Sequence, residues 1–346
     1  VLAITGTNGK TTTTSLVGRI MQEYYNDAYI VGNIGNPYTE AAPLMSADTI
    51  SVAEISSFQL ETIENFHPQV SAILNITPDH LNRHHTMENY VLAKEAVTRN
   101  QTKTDFCILN YENEYTRKFG DRCPAKVIYF SSAQKLENGL YYQGEEIYLA
   151  TNGTAKYLLN VKTDMNLVGI CNIENVMAAI GISMCAGVPM KNILDTIRRF
   201  VAVEHRIEYV ATKRGVKYYN DSKATNTDAA IQGIKAMDRP TILIGGGYDK
   251  GSTYDNWIHC FDGKVKKLVL IGQTREKIAD CAIKCGFLKE NLLFADTLVE
   301  ALDICVREAA VGDAVLLSPA CASWGMFPNY EVRGKQFKEY VNRLEE

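Results

Sequence analysis

The 346-residue chain has the composition of a globular protein and is long enough for two or three domains. Hydrophobic residues make up 46% and charged residues 22% of it, and its 24 glycines and 9 prolines are too few for collagen-like or low-complexity sequence. The net charge of −4 argues against a dedicated nucleic-acid-binding protein, which normally carries a basic excess. No apolar run approaches the ~18 residues that span a bilayer. We therefore expect a monomer with neither a nucleic-acid nor a membrane partner.

Predicted strands and helices alternate along the first 200 residues, which is typical of a parallel sheet covered on both faces. A short apolar strand, Val1–Thr5, runs into a glycine loop and then into a helix near Thr11–Tyr24. The later predicted elements are strands at Thr49–Ala53 and Val70–Ile76, a helix at Met87–Asn100, a strand at Phe106–Asn110, hairpins within Val127–Asn160, and helices at Ile173–Ala186 and Met190–Phe200.

A second unit is predicted to begin near Val203, so that the two domains cover residues 1–202 and 203–346. Its first strands, Ile207–Thr212 and Val216–Asn220, flank an Arg-Gly turn and predict a hairpin. Strand–helix alternation then resumes, as in a Rossmann-like α/β domain. The elements of this part are a helix at Thr227–Met237, strands at Thr241–Ile244 and Lys267–Ile271, a helix at Thr297–Ala309, and a strand at Ala314–Ser318.

The nine cysteines are an odd number and include no Cys-x-x-Cys pair. Cys281 and Cys285 are four residues apart, which places them on one face of a predicted helix. Without clustered histidines this spacing does not predict a metal site. We interpret the cysteines as small buried hydrophobes in a reducing cytosol.

A glycine loop between a predicted strand and a predicted helix is the sharpest motif, and its sequence is Thr5-Gly6-Thr7-Asn8-Gly9-Lys10-Thr11-Thr12. Backbone N–H groups of such a loop can surround phosphate oxygens, and the helix N-terminus adds partial positive charge. Lys10 would neutralise β- and γ-phosphate charge, and the Thr11 hydroxyl would bind Mg²⁺. The alternative is a solvated turn, but chance rarely supplies strand, loop and helix together. We therefore predict a nucleoside triphosphate site.

The loop is shorter than the GxxxxGK[ST] pattern, whose first glycine would fall on Ile4. This shortened form resembles the loop of the ATP-dependent Mur ligases and folylpolyglutamate synthases. The sequence has no NKxD guanine motif, which counts against a GTPase switch. The predicted fold class is therefore α/β, with a P-loop-type central ATPase domain on a parallel sheet and a C-terminal Rossmann-like domain.

Three further side chains follow the predicted strands next to this loop. Glu54 ends one strand, His80 follows the next in Thr-Pro-Asp-His, and Lys94 lies on the helix after it. Carboxyl ends of parallel strands meet at one edge, where a carboxylate suits magnesium. Each residue also has an ordinary explanation when it is taken singly. Glu54 could be a glutamate that the dipole favours at a helix N-terminus, His80 could be a solvated histidine, and Lys94 could be a surface lysine.

Four longer segments resemble the D-glutamate-adding enzymes of the Mur ligase family, and the resemblance runs from the loop to the C-terminus. The segments are EISSFQLE at Glu54–Glu61, NITPDHLNR at Asn75–Arg83, NDSKATN at Asn220–Asn226, and SPACASWGMFPNYEVRG at Ser318–Gly334. The DNPR-type motif of the enzymes that add meso-diaminopimelate is absent from the sequence.

The resemblance implies an ATP-dependent amide ligase that adds D-glutamate to UDP-N-acetylmuramoyl-L-alanine in the cytoplasm of a bacterium. It assigns ATP contacts to Gly6, Thr7, Asn8, Gly9, Lys10, Thr11, Thr12, Asn172, Asn175, Arg206 and Asp221. It assigns magnesium binding to Thr11, Glu54, His80 and Lys94, with Lys94 present as a carbamate. It assigns substrate contacts to Asn33, Ser56, Lys223, Thr225, Lys250, Ser323 and the backbone of Tyr330.

Several of these assignments have alternatives. Asn172 and Asn175 match adenine-side residues but could be helix caps. Arg206 matches an arginine that reaches ATP phosphate but could form an interdomain salt bridge. The base that deprotonates the amine is open between His205 and the Lys94 carbamate.

The implied reaction forms an acyl phosphate, which the amine of D-glutamate then attacks. The family normally has a UDP-sugar-binding domain of ~100 residues before the loop, where this sequence starts. We therefore expect this chain to bind ATP but to use the UDP substrate poorly. Other possibilities are a folylpolyglutamate synthase-like ligase, a non-catalytic nucleotide-binding fragment, and a P-loop motor or switch.

Overall fold

Fifteen strands in residues 1–345, the part of the chain that the computed structural model describes, form two separate sheets. The chain divides by its contacts into two compact units, Val1–Phe200 and Val201–Glu346. The domain boundary predicted between residues 202 and 203 lies two residues beyond this division and stays a prediction. No helix in the described part of the chain is both long enough and apolar enough to cross a bilayer.

The first unit contains a nine-stranded sheet with helices around it. Its strands are β1 (Leu2–Thr5), β2 (Ala28–Gly32), β3 (Ile50–Glu54), β4 (Val70–Ile73), β5 (Phe106–Asn110), β6 (Lys126–Ser131), β7 (Gly139–Gln143), β8 (Glu146–Thr151) and β9 (Thr154–Asn160). Its helices are α1 (Lys10–Tyr24), α2 (Tyr38–Ala41), α3 (Ser57–Leu60), α4 (Leu81–His84), α5 (Met87–Glu95), α6 (Glu114–Gly120), α7 (Ile170–Cys185) and α8 (Met190–Arg199).

The strand order of this sheet is β2-β3-β1-β4-β5-β6-β7-β8-β9, and the pairs from β2 to β7 are parallel. Strand β1 lies between β3 and β4, so the segments that follow these three strands emerge side by side at one edge. Helices α1 and α7 pack together beside the sheet, and a buried apolar cluster that includes Ala53, Ile73 and Leu109 forms part of its core. The predicted α/β fold with a parallel sheet is confirmed.

The second unit contains a six-stranded sheet in the order β10-β11-β15-β12-β13-β14, in which only β10 and β11 pair antiparallel. Its strands are β10 (Glu208–Lys213), β11 (Val216–Asn220), β12 (Thr241–Gly246), β13 (Val265–Ile271), β14 (Leu292–Phe294) and β15 (Ala314–Leu317). Its helices are α9 (Thr227–Lys235), α10 (Asp255–His259), α11 (Arg275–Lys284), α12 (Leu298–Glu308) and α13 (Tyr330–Arg343). The predicted hairpin and the α/β alternation of this part are confirmed.

Some predicted elements need correction. The helix predicted to reach Asn100 ends at Glu95 and continues as a 3₁₀ turn, and the strand predicted to reach Ile76 ends at Ile73. Strands β7, β8 and β9 form the expected hairpins, but β6 pairs parallel with β7. The connection between β6 and β7, residues 132–138, is longer than a two-residue hairpin turn, so it allows the chain to return and pair parallel. Strands β2 and β14 and helices α2, α3, α4, α6, α10 and α13 were missed, and all of them except α13 are short segments that carry weak periodicity.

Candidate active site

The glycine loop at residues 6–9 connects β1 to α1 as predicted. Gly9 caps α1 with φ of 86°, in the left-handed region that glycine adopts without strain. The first turn of α1 carries no acidic residue, so its N–H groups and dipole face the loop without a competing carboxylate. A strand, a left-handed glycine and a bare helix N-terminus together form an anion-binding turn.

The loop is fixed by the segment that follows β4. Asn8 N–H donates to Asn75 Oδ1 over 2.8 Å, and Asn75 Nδ2 donates back to Asn8 O over 3.1 Å. Thr7 N–H donates to Asn75 O at 2.9 Å, and Thr77 N–H donates to Thr7 Oγ1 at 3.0 Å. This role of Asn75 and Thr77 was not predicted from the sequence, in which the Asn-Ile-Thr-Pro segment carries only a family resemblance.

Asn172 and Asn175 lie in α7, where Asn175 contacts helix α1 just beyond the loop. The Thr13 hydroxyl donates to Asn175 Oδ1 at 3.3 Å, and Asn175 Nδ2 donates to Asn172 Oδ1 at 3.2 Å. Both asparagines are buried, and the N-cap of their helix is Gly169, so neither one is a cap. An adenine contact for either residue stays a prediction.

The space beside Gly9 supports a direct test. A Cβ atom at this position would lie 2.2 Å from Asn175 Oδ1, in addition to the left-handed strain. We expect Gly9→Ala to lose on the order of 1–3 kcal/mol in the free energy of unfolding and to weaken ATP binding. Thermal or denaturant unfolding and nucleotide titration measure the two effects.

Gly144→Ala is the matched control. Gly144 also has a positive φ, 57°, but within the described part of the chain no neighbouring atom lies within 4 Å of the place that an alanine methyl group would take. We expect this variant to carry only the backbone strain and to leave ATP binding unchanged. Equal losses in both variants would contradict the role of the Asn175 contact.

Lys10 and Lys94 converge on one carbonyl group of the loop. Lys10 Nζ donates to Gly6 O at 2.8 Å and to Thr7 O at 2.9 Å. Lys94 Nζ donates to the same Gly6 O at 2.9 Å and lies 4.7 Å from the centroid of the Tyr90 ring. The prediction that Lys94 could be a surface lysine is wrong, because its side chain is only 2% exposed.

Burial changes the acid–base behaviour of Lys94. Desolvation, followed by repulsion from the Lys10 ammonium, holds the pKa of Lys94 well below its usual range, while the Asp79 carboxylate opposes the shift. A lysine with a lowered pKa has a larger neutral fraction at physiological pH, and the neutral amine is the nucleophilic form.

Glu54 ends β3 directly beside the phosphate loop, with its Cα paired to that of Ile4 on β1. Its Oε1 atom accepts from Asn33 Nδ2 at 2.9 Å. Its Oε2 atom is buried and lacks a hydrogen-bond partner among residues 1–345. Buried carboxylate oxygens rarely stay unpaired, so this atom offers a ligand position for a cation.

His80 is half exposed at the N-cap of α4, with φ of 54°. Its ring packs edge-on against Phe58, with 5.0 Å between the centroids, and its Nε2 lies 3.4 Å from Asp79 Oδ2. A magnesium role for His80 stays a prediction.

A buried histidine that sequence reasoning missed lies next to His80. His84 Nε2 lies 3.0 Å from Ser57 Oγ, and His84 Nδ1 lies 3.2 Å from Glu61 Oε1. The His84 ring stacks on Phe58, and burial lowers its pKa. This cluster fixes Phe58, and through it the surroundings of His80.

Asn33 and Ser56, the predicted muramoyl contacts, lie at the ends of β2 and β3. Asn33 is exposed apart from its bond to Glu54. Ser56 caps α3 in a reciprocal box, in which Ser56 N–H donates to Gln59 Oε1 at 2.9 Å and Ser56 Oγ accepts from Gln59 N–H at 3.3 Å. The cap explains Ser56 locally, and its substrate contact stays a prediction.

In the second unit, His205 is buried against Asn220. Asn220 Nδ2 lies 2.9 Å from His205 Nδ1 and 3.0 Å from Glu208 Oε2, while Asn220 Oδ1 accepts from Ser222 N–H at 3.2 Å. This network makes His205 Nδ1 an acceptor, so the neutral ring carries its proton on Nε2. The arrangement favours a positioning role for His205 over the predicted base.

Asp221 lies inside the second unit, where Ser318 Oγ donates to its Oδ2 at 2.7 Å and Ile207 N–H donates to its Oδ1 at 3.2 Å. Burial raises the pKa of Asp221 to about 7, although Ser318 and Arg206 oppose the shift. Arg206 itself has a buried Nε atom without a hydrogen-bond partner in the described residues. The predicted ribose and phosphate contacts of Asp221 and Arg206 stay predictions.

The raised pKa of Asp221 predicts how stability depends on pH. The folded chain keeps the proton up to about pH 7, whereas an unfolded aspartate releases it near 3.8. The folded state therefore binds more protons between these values, and its stability falls as pH rises from 4 to 7. We expect this pH-dependent loss in the free energy of unfolding to be on the order of 4 kcal/mol in the parent chain and to be absent from Asp221→Asn.

Chemical denaturation at several pH values, compared between the parent chain and Asp221→Asn, measures this contribution. The comparison cancels groups that both proteins share, such as His205. Asp280→Asn, which alters an exposed carboxylate of the same unit, is the control and should leave the pH profile unchanged. A constant difference in stability between the parent and Asp221→Asn would contradict the prediction.

Two predicted substrate lysines of this unit lie over aromatic rings. Lys223 Nζ lies 5.5 Å from the centroid of Tyr330, and Lys250 Nζ lies 4.8 Å from that of Trp324. Such contacts orient an ammonium group without neutralising it.

Ser323, Thr225 and Tyr330 lie in turns near these lysines. Ser323 O accepts from Phe327 N–H at 2.9 Å, and Thr225 N–H donates to Lys223 O at 2.9 Å. Tyr330 begins α13, and its carbonyl accepts from Ser222 Oγ at 2.8 Å. Substrate contacts of the three residues stay predictions.

Arg333 is a buried residue that sequence reasoning missed, although it lies in the quoted SPACAS segment. It donates to Ser222 Oγ at 3.0 Å, to Ser222 O at 2.8 Å and to Cys321 O at 3.2 Å. Burial lowers the pKa of Arg333 to about 10. The guanidinium therefore connects the turns that carry Lys223 and Ser323.

Comparison with known proteins identifies the chain. Residues 4–183 match the model of the Mur ligase middle domain, and residues 205–321 match that of the Mur ligase, glutamate ligase domain. A UDP-N-acetylmuramoylalanine–D-glutamate ligase of Lachnoclostridium phytofermentans is 57% identical over 346 residues, covering 100% of this chain and 76% of the relative. The corresponding ligase of Lachnospira eligens is 59% identical over 345 residues, covering 99% of this chain and 76% of the relative.

The chain belongs to the UDP-N-acetylmuramoylalanine–D-glutamate ligase family. Solved Mur ligases share its fold at low sequence identity. One structure of MurF from Acinetobacter baumannii has a TM-score of 0.70 at 16% identity and covers 99% of this chain and 76% of that one. MurC from Thermotoga maritima has a TM-score of 0.69 at 18% identity and covers 98% of this chain and 75% of that one.

The Mur ligase domain matches divide the candidate residues between them. The middle-domain match spans the phosphate loop, Glu54, His80, Lys94, Asn172 and Asn175. The glutamate-ligase match begins at His205 and ends at Cys321, before Ser323 and Arg333. The expected family is confirmed. The ligand contact assigned to each single residue stays a prediction.

Proposed function

We propose that this chain catalyses the ATP-dependent joining of D-glutamate to UDP-N-acetylmuramoyl-L-alanine, a step of peptidoglycan precursor synthesis. The observation that carries the proposal is 57–59% identity to D-glutamate ligases over essentially the whole chain. The fixed glycine loop supports ATP as the energy source. We also propose that the enzyme acts in the bacterial cytoplasm, where ATP is available, and that it does so as a monomer.

A magnesium ion fits the residues around the loop. The Oε2 atom of Glu54 is the strongest indication, because this carboxylate oxygen is buried without a hydrogen-bond donor among residues 1–345. We propose that Glu54 and Thr11 hold the ion, with His80 and a carbamate on Lys94 as further ligands. When bound, Mg²⁺ would neutralise phosphate charge as a Lewis acid.

The environment of Lys94 suits carbamate formation. Its neutral amine can attack CO₂, and loss of one proton leaves an anionic oxygen donor on the side chain. Burial and the Lys10 charge favour the neutral form of the Lys94 amine. The positive charge of Lys10 would in turn stabilise the anionic carbamate.

The reaction then follows from the residues present. The L-alanine carboxylate attacks the γ-phosphorus of ATP, ADP leaves, and an acyl phosphate forms. Lys10 exchanges its loop carbonyls for phosphate oxygens and stabilises the charge that spreads over them. The amine of D-glutamate, held through its carboxylates by Lys223 and Lys250, attacks the acyl carbonyl. Phosphate leaves, and the amine loses a proton as the amide forms.

Phosphate release is the decisive assay. We expect release from ATP to require both UDP-N-acetylmuramoyl-L-alanine and D-glutamate, with L-glutamate inactive. Release with L-glutamate and a folate acceptor would favour a folylpolyglutamate synthase-like ligase. Release with no amino acid would indicate a P-loop hydrolase, and ATP binding without any release would indicate a non-catalytic nucleotide-binding module.

A further inference from the structure

A cluster of metal-ligating atoms lies in the second unit, among residues to which the ligase reaction gives no role. One carboxylate oxygen of Asp255 and the sulfur atoms of Cys281 and Cys285 all lie within 4.8 Å of one another. Asp255 is exposed, and both cysteines are partly buried and free of disulfides. Three ligating atoms from two helices therefore surround one point.

Helix geometry fixes the spacing of the two sulfur atoms. Cys281 lies in the last turn of α11 and Cys285 is its C-cap, whose N–H donates to Cys281 O at 2.9 Å. Residues four apart on a helix share a face, so both thiols point to the same side. Asp255 begins α10, which packs against α11, and supplies the third atom from a separate element.

Two groups contact the Cys281 thiol. The backbone N–H of Tyr254 donates to its sulfur, and its own S–H donates to Cys285. The Asp255 carboxylate and the Cys285 sulfur lie within 4.8 Å of the Cys281 sulfur, so a cation between them would attract all three groups.

The donor set selects the class of cation. Two sulfurs and one carboxylate oxygen suit Zn²⁺ and its analogues, whereas Mg²⁺ and Ca²⁺ prefer oxygen alone. Tetrahedral zinc with bonds near 2.3 Å places two sulfurs about 3.8 Å apart, which is compatible with the observed cluster. We propose that Asp255, Cys281 and Cys285 bind one thiophilic divalent cation of the Zn²⁺ class, with water in the fourth position.

Co²⁺ titration of the full chain, reduced and freed of metal, tests this site. Thiolate-to-cobalt charge transfer in the near ultraviolet reports sulfur ligation, and strong visible bands report tetrahedral geometry. We expect one equivalent to bind and to be displaced by Zn²⁺. Cys281→Ser and Cys285→Ser should each weaken binding by more than ~10-fold, since even outer-shell partners of a metal contribute that much. Asp255→Asn should retain the charge-transfer band with weaker affinity.

Cys260→Ser is the matched control. Cys260 is a partly buried cysteine that caps α10, and its Sγ donates to Trp257 O at 3.0 Å outside the cluster. This variant should bind Co²⁺ like the parent chain. Thermal unfolding without metal checks that every variant is folded, and Zn²⁺ should raise the unfolding temperature of the parent and of Cys260→Ser more than that of any variant in the cluster.

Three results would overturn the proposal. The first is an absence of charge transfer in the parent chain. The second is charge transfer that survives both Cys281→Ser and Cys285→Ser, which would place the metal on other cysteines. The third is a Cys281–Cys285 disulfide that forms readily in air and withstands reduction, found by mass spectrometry. None of these readouts depends on ligase activity.

Discussion

Lys94→Ala is expected to abolish most ATP-dependent phosphate release while leaving the chain folded. The Lys94 side chain is buried beside the phosphate loop, where a carbamate would supply an anionic ligand and where alanine supplies none. Loss of one preorganised charged group at a phosphoryl-transfer site lowers kcat by about 10²–10³. Steady-state assays at saturating ATP measure the loss.

Chemical rescue separates a carbamate from a structural lysine. Formate or acetate can enter the space that Lys94→Ala leaves and take the place of the missing carbamate. Added formate or acetate should therefore restore part of kcat. In the parent chain, ¹³CO₂ should produce a carbamate carbon signal that is absent from the variant. Full activity of Lys94→Ala would remove Lys94 from the metal site. So would a loss of activity that formate and acetate do not restore, if the parent chain also gave no ¹³C carbamate signal.

Lys10→Ala is expected to reduce phosphate release by about 10²–10³ and to weaken ATP binding. Lys10 holds its Nζ against Gly6 O and Thr7 O, at the rim of the loop where phosphates would lie. It is the cation that can exchange carbonyl oxygens for phosphate oxygens with little movement of the backbone. Phosphate release and nucleotide titration should both report the loss.

Lys118→Ala serves as the control for charge. Lys118 is an exposed lysine of α6 that pairs with Glu114, so its removal changes the net charge equally but not the loop. Its kcat and ATP affinity should equal those of the parent. If Lys10→Ala kept the parent's kcat, the loop would not be the site of phosphoryl transfer.

The phosphate loop could be predicted because all of its determinants are contiguous. Strand, glycines, lysine and helix start lie within residues 1–24, and the backbone alone creates the anion-binding turn. Glu54 followed from the rule that parallel strands end at one edge, and the order β3-β1-β4 confirms its position next to the loop.

The residues that hold the loop and the start of α1 could not be predicted, because their contacts depend on tertiary packing. Asn175 meets Thr13 across 162 positions of sequence, and no local pattern distinguishes this contact from an ordinary helical asparagine. Lys94 read as a surface lysine for the same reason, since the burial of its helix is decided by the strands and loop around it. Only the resemblance to a family singled it out.

The cysteine cluster illustrates the same limit. The sequence placed Cys281 and Cys285 on one helix face but offered no third ligand, so a metal site was not predicted. Asp255 is 26 positions away on another helix, and only the packing of α10 against α11 brings it to the two sulfurs.

The way the phosphate loop is tied to Asn75 and Thr77 has a consequence for nucleotide affinity. A loop that is already shaped loses little conformational entropy when its ligand arrives, so nearly all of the contact energy is available for affinity. Substitutions at these anchors would lower the fraction of molecules whose loop has the binding-competent shape. They would therefore weaken the apparent affinity for nucleotide without removing any group that touches a phosphate.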